Sequence, residues 1–364
     1  MRKIKKFLAM GMAIAVFSGG LGMTTLPRVE AAGLFDIILA GASSYQEGQQ
    51  IKKELQTYDS TEEGRQKLLT SFKQRYGVAE NSPWQPMAER AMTNLMRGIA
   101  QSDPSVWQKP FLWFINQDNT FNAFCSVGHV MSINQGLFNL IQNEDELAVV
   151  LGHEMGHGMK GHALQSLQGR LNTSILANMA GAALGQDAIG DAVLQGIVNN
   201  STASTSKEQE WEADGLSFDY VLAGGYNPGA TAAVWERVIE KSGDNPQSFV
   251  GEIFSPSDHP TNQQRRDKYA QTLKDYSLGH AEAKDGVVYV NGKAWVTPND
   301  ANGMSGKERS YFVLGNLAAA YHHREDKKNA TVQGTTIYLG AQPIMTATNA
   351  TQAQNLAQSL NQIK

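Results

Sequence analysis

The stretch His153-Glu154-Met155-Gly156-His157 constrains this 364-residue chain more than any other feature. Two imidazoles four residues apart act together only on a helix, where they differ by about 40° around the axis and project from one face. The surrounding pattern is helical from Asn143 to His162, with Glu144, Asp145 and Glu146 in the first turn, where acidic side chains complement the helix dipole. One zinc ion can bridge two imidazoles so placed. Glu154 lies beside such a metal without having to ligate it, and its carboxylate can take a proton from an attacking water. The pattern is that of a hydrolase.

Zinc held by two histidines needs a third protein ligand. His162 is the nearest candidate, but on a continuing helix it stands nine residues from His153, about half a turn away from the metal face. The spacing therefore assigns it to the helix end, near the last carbonyls. The stronger candidates are Glu210 and Asp214, four apart in the helical stretch Glu210-Trp211-Glu212-Ala213-Asp214. One carboxylate could ligate zinc while the other accepts the free ring N–H of a ligating histidine. Glu212 points about 200° from Glu210 and is expected to be solvated or paired.

At 41% hydrophobic and 18% charged residues, the chain is too apolar for a disordered protein and too polar for a multi-span membrane protein; its length suggests about two folded units. The net charge of -4 argues against a nucleic-acid partner. Arg2, Lys3, Lys5 and Lys6, the apolar run from Phe7 to Phe17 and Val29-Glu30-Ala31 have the layout of a secretory signal, cleaved after Ala31, with an uncleaved anchor as the alternative. Cleavage removes five basic residues and one acidic one and takes the charge to -8. The expected location is exported, periplasmic or secreted. The single cysteine, Cys125, excludes an intramolecular disulfide, so stability must come from the core or a metal.

Along the chain, Ile51, Leu55, Leu68, Leu69 and Phe72 form an apolar stripe on two helices, with a further amphipathic segment at Leu34–Leu39. Met87 to Ile99 reads as a helix entered through Pro83. Phe111–Ile115 and His129–Ile133 read as strands joined by a loop. Leu171 to Val198 reads as buried helices; Ser206–Leu222 and Pro228–Glu240 are further helices. Near residue 280 the composition shifts to a hairpin with Asn291-Gly292 at its turn, a helix over Glu308–His322, a short strand at Thr335–Leu339 and a final helix. No fixed-period repeat is visible. The expected fold is α+β and mainly helical: a signal at 1–31, a zincin-like domain at 32–280 with a small sheet beside the motif helix, and a small α+β unit at 281–364.

The run Leu147 to His157 followed by Glu210-x-Glu212-Ala213-Asp214 resembles the gluzincin metallopeptidases of the CAAX-prenyl-protease and HtpX type, in particular their soluble exported, BepA-like branch. Asn122-Ala123-Phe124, the strand at His129–Ile133, Gly136-Leu137 and the stretch from His259-Pro260 to Arg265 fit the same pattern, over about residues 85–275. The resemblance implies one zinc held by His153, His157 and Glu210, with Glu154 as general base and Asp214 supporting a ligand from behind. It places His259 near the metal, either stabilising the oxyanion or occupying the water's position in a latent form. It gives Arg265 a part in supporting the oxyanion or the local fold. Cys125 stands where a small apolar residue is usual; it is expected as a small buried side chain, with a zinc-reaching inhibitory thiolate as the sharper alternative. His129 replaces what is often glycine.

The strand carrying His129, Val130 and Met131 is expected to be the edge on which an extended polypeptide substrate adds. The implied activity is endoproteolysis of unfolded or misassembled envelope proteins, with a peripheral contact to the membrane or to assembly machinery as a further expectation. The alternative is a chaperone or assembly factor that binds extended chains and whose proteolysis is latent.

Overall fold

The structure, a computed structural model, describes residues 45–141, 143–177, 186–199, 205–242 and 260–364. The signal-like segment, Leu34–Leu39, His259 and part of Leu171–Val198 lie outside the described residues. No described helix is long and apolar enough to cross a membrane.

Helices α1 (Tyr45–Ser60) and α2 (Glu62–Tyr76) are separated by Thr61, whose hydroxyl caps α2 by accepting from the Gly64 N–H. Their stripe of Ile51, Leu55, Leu68 and Phe72 is buried in a cluster with Phe114, Phe124, Val127 and Val130. Helix α3 (Gln85–Ser102) carries Pro86 in its first turn, where a missing N–H costs nothing, so Pro86 rather than Pro83 marks the entry. Ala88, Met92, Leu95 and Ile99 of α3 join the main core.

Three strands follow, β1 (Leu112–Asn116), β2 (Ala123–Ser126) and β3 (Val130–Asn134), in the order β1-β3-β2. β1 runs parallel to β3 with Leu112 opposite Val130; β2 runs antiparallel to it with Ala123 opposite Ile133. This corrects the expected substrate edge. The strand with Val130 and Met131 is central and bonded on both sides, and both residues are fully buried. His129 lies just before it in a 3-10 turn at φ 55. The loop expected after β1 contains β2, a four-residue strand buried throughout, which offers no polar alternation for a sequence pattern to detect.

The motif helix α4 (Glu144–Lys160) is capped by the Asn143 side chain, which accepts from the Glu146 N–H at 2.9 Å. It stops at Gly161, whose φ of 64 ends the helix before α5 (His162–Ala177) begins in a new direction. Then come α6 (Gln186–Asn199), α7 (Lys207–Ala223), α8 (Ala230–Ser242) and α9 (Asn262–Tyr276), with capping boxes at Ser206/Gln209 and Thr261/Gln264. Small residues let α4 and α7 approach closely. A Cβ on Gly156 would meet the Ala213 backbone at 3.3 Å, and one on Gly152 would lie 3.2 Å from the Ser217 hydroxyl, which donates to the Val149 carbonyl at 2.8 Å.

The C-terminal residues form two successive β-β-β-α modules: β4 (Ala281–Lys284), β5 (Val287–Val290), β6 (Lys293–Val296) and α10 (Gly306–His322); then β7 (Ala330–Gln333), β8 (Thr336–Leu339), β9 (Gln342–Thr346) and α11 (Ala350–Ile363). Buried Ala281, Val288, Val290 and Trp295 recur as Ala330, Ile337, Leu339 and Ile344. The register irregularity falls at the same place, Val288/Tyr289 and Ile337/Tyr338. The chain thus holds an internal repeat that its sequence did not reveal, because the repeat conserves burial and a bulge more than residue identity. The modules share one core with the preceding helices. Arg237 of α8 lies 2.5 Å from Glu308 of α10 and 3.3 Å from Glu146 of α4, a buried set that ties the module to the first turn of the motif helix.

The contact between α4 and α7 yields a direct test. Gly156→Val puts a branched side chain into a gap with no room for it, and the folded state should lose about 1–3 kcal/mol. Urea unfolding of the metal-free protein measures this.

Candidate active site

The motif helix presents His153 and His157 to α7 on one face, as the spacing requires, with their Nε2 atoms 3.0 Å apart. Glu210, in the first turn of α7, lies with Oε2 3.5 Å from His153 Nε2 and Oε1 3.4 Å from His157 Nε2. Three ligand atoms bonded at about 2.0–2.1 Å to a tetrahedral zinc stand about 3.3 Å apart. The separations in this cluster fit that requirement, and its donor set of two imidazoles and a carboxylate suits zinc. All three side chains are buried.

Behind the cluster, Asp214 Oδ1 lies 2.9 Å from His153 Nδ1, the orientation in which a carboxylate fixes a ligating ring with its proton on Nδ1. Burial works against a proton on His153, but hydrogen bonds to Asp214 and Glu210 overcome it and raise its pKa to about 9. His157 goes the other way: burial lowers it to about 4. Glu154 is also buried, and chiefly for that reason its carboxyl is raised to about 7. Its Oε2 accepts the Cys125 N–H at 3.0 Å, so the general-base candidate touches β2 directly.

Arg265 sits beneath the cluster with no exposed surface. It donates to Glu210 Oε2, stands 3.3 Å from Asp214 Oδ1 and lies over the Trp235 ring at 4.8 Å. Burial disfavours its charge, yet Asp214 and Glu210 outweigh that and raise its pKa. It faces the carboxylates from within the core, so of the two expected roles the structure favours support of the local fold over the oxyanion, which makes it a positioning residue and not a catalytic group. Pro260, next to His259, is buried just ahead of α9, the helix that carries Arg265.

Three side chains that spacing did not find complete the surroundings. The Thr205 hydroxyl donates to Glu210 Oε1, and the Tyr269 hydroxyl donates to the Asp214 carbonyl at 2.9 Å. His162 is not among the last carbonyls of α4. Gly161 turns the chain so that His162 Nδ1 lies 2.8 Å from His157 Nδ1, with its Nε2 3.2 Å from Glu212 Oε2. Gly161 itself, a glycine following a lysine at a helix end, was the signal that the helix does not continue.

Cys125 is buried with its sulfur against Gly158, where a Cβ would come within 2.8 Å of it. Burial, then the nearby Glu154, raises the thiol's pKa well above its ordinary value in the metal-free protein, in keeping with a small buried side chain. His129 stacks on Phe111 at 4.4 Å and donates from Nδ1 to the Lys109 carbonyl at 2.8 Å; burial, then the charge of Lys109, lowers its pKa to about 4.

A helix bearing H-E-x-x-H, faced by a glutamate one helix away and closed by a carboxylate on the ligating histidine, defines a zinc metallopeptidase site. The pattern of peptidase family M48 matches residues 85–272, and the chain belongs to that family. It is 30% identical over 160 residues to the metalloprotease LoiP of Escherichia coli, covering 42% of this chain and 58% of that protein. It is 26% identical over 178 residues to the mitochondrial metalloendopeptidase OMA1 of Arabidopsis thaliana, covering 47% of this chain and 34% of that one. The beta-barrel assembly-enhancing protease of Escherichia coli is 25% identical over 146 residues, covering 36% of this chain and 29% of that one. The chain therefore spans less than two thirds of the length of each of these relatives.

Two expectations follow from the site's charges. His153 is protonated at pH 7 in the metal-free protein and must be neutral to ligate, so zinc binding near pH 7 should release about one proton, and affinity should fall as the pH falls. Calorimetry in buffers of different ionisation enthalpy counts that proton. Arg265→Leu leaves two buried carboxylates without their cation and should cost the metal-free protein about 3–5 kcal/mol in urea unfolding; a role confined to the oxyanion would leave stability unchanged.

Proposed function

We propose that the protein is a zinc-dependent endopeptidase of the cell envelope that cleaves unfolded or misassembled exported polypeptides. His153, His157 and Glu210 would hold the metal, and what zinc supplies there is Lewis acidity toward a water and toward the scissile carbonyl. Glu154 takes the proton of the attacking water and delivers it to the leaving amine; a carboxyl raised to about 7 by burial is matched to both transfers. Asp214 and Arg265 hold the ligands in place. On the family resemblance, His259 would serve the same site, either as an oxyanion donor or as a latent-state ligand.

The observation that carries this reading is the contact between Glu154 and the outer edge of β2. Because the Cys125 N–H points away from β3 toward Glu154, Cys125 and Ala123 turn their peptide groups to the side of β2 on which no described strand pairs, beside the motif helix. An extended chain added there bonds through its main chain and makes little demand on sequence, which suits unfolded substrates. The envelope location rests on the signal-like residues 1–31, and the substrate class is in keeping with the name of the beta-barrel assembly-enhancing relative.

Purified protein with measured zinc content, assayed on an unfolded polypeptide, tests the whole. Glu154→Gln should keep its zinc and lose about 10²–10⁴ in kcat, and His259→Ala should change the rate. Cleavage of one defined sequence alone, with unfolded proteins ignored, would count against the substrate class. A zinc-loaded protein inert in every form that suppresses aggregation would favour the chaperone alternative.

A further inference from the structure

We propose that His162 and Glu212 form a positioning chain for the metal ligand His157, fixing its ring and tautomer through a second imidazole. The inference rests on the zinc reading of the site. An imidazole that gives its Nε2 lone pair to a metal carries its proton on Nδ1 and must donate it to something. For His153 that acceptor is the Asp214 carboxylate. For His157 it is His162, whose Nδ1 is 2.8 Å away. Two ring nitrogens at that distance share one hydrogen, so if His157 donates, His162 Nδ1 accepts and the proton of His162 resides on Nε2. That nitrogen is directed at Glu212 Oε2, 3.2 Å away, and the Glu212 carboxylate is itself held by Lys160 Nζ at 2.8 Å. Each tautomer follows from the one before it, from the metal outward.

The sequence builds this chain with few residues. Gly161, at φ 64, turns the backbone so that His162 folds back against His157, leaving His162 1% exposed. The carboxylates of Glu210, Glu212 and Asp214 on one turn and a half of α7 then divide the work: Glu210 faces both ligating rings, Asp214 supports His153 directly, and Glu212 supports His157 through His162. A histidine serving only to fill space would have no need of an acceptor nitrogen toward His157 or of a carboxylate behind it.

The test reads metal affinity rather than turnover, in the full-length protein, by competition for zinc against a chromophoric chelator. His162→Ala should bind zinc about 10–100-fold more weakly. His162→Asn, whose side-chain oxygen can take the place of the ring Nδ1 as acceptor, should recover most of that loss. Glu212→Ala should weaken binding in the same direction by a smaller factor; its side chain is 44% exposed, so the fold tolerates its loss. Wild-type affinity in His162→Ala, or His162→Asn binding as poorly as His162→Ala, overturns the proposal. Wild-type affinity in Glu212→Ala overturns the outer link, whether or not the His162 variants fold. A wild-type protein that takes up no zinc would instead sink the zinc reading itself, a result distinct from all of these.

Discussion

The burial of Glu210 and Asp214 is the constraint around which the rest of the site is arranged. Both are excluded from water, and a buried carboxylate persists only where positive charge and hydrogen-bond donors compensate it. Arg265 meets both from beneath, Thr205 donates to one, and His153 lies against the other. The cluster holds more negative than positive charge unless His153 is protonated, which is the physical cause of that histidine's raised pKa. A site so composed favours a divalent cation, because the ion replaces a proton with twice the charge at the point where the carboxylates converge.

Bringing those carboxylates to the imidazoles depends on how the motif helix is held. Its middle is pressed against α7 through Gly152, Gly156, Ala213 and Ser217, which keeps Glu210 within reach of both rings. Its first turn is anchored by Glu146, which shares Arg237 with Glu308 of the C-terminal modules. Burial raises the pKa of both glutamates, so one cation serving two acids is a costly arrangement to leave half-made. Its last turn ends at Gly161, where the chain reverses onto His157. The orientation of the two ligating histidines is therefore tied at one end to residues more than 150 positions later in the chain and at the other to the residue that follows the helix.

What could be read from the sequence follows from these couplings. Residues related by helical period were legible: His153 with His157, Glu210 with Asp214, and the stripe Ile51, Leu55, Leu68 and Phe72, because a single periodicity places them together. Residues that depend on a chain reversal were not. His162 reaches His157 only because Gly161 ends the helix that spacing alone would continue, whereas Glu212, expected to be solvated or paired, is partly exposed and paired with Lys160 and His162. Arg265 could be named from the family pattern, but only its burial against Glu210 and Asp214 distinguishes a compensating charge from an oxyanion donor. The repeat in the C-terminal modules escaped for a similar reason, since Val288 and Ile337, or Trp295 and Ile344, are equivalent in burial and not in identity.

On the proposed function, the strand order β1-β3-β2 has the largest consequence for how a substrate is seated. Neighbouring strands lie about 4.8 Å apart, so moving the open edge from β3 to β2 moves an added chain by one strand spacing. β3 offers it nothing, because β1 and β2 already take its hydrogen bonds. β2 lies beside the motif helix, and its Cys125 N–H already reaches the Glu154 carboxylate. A chain laid along β2 would therefore compete for that N–H, offering a carbonyl in place of the carboxylate, and on the proposed function the step that seats the substrate is also the step that frees the base.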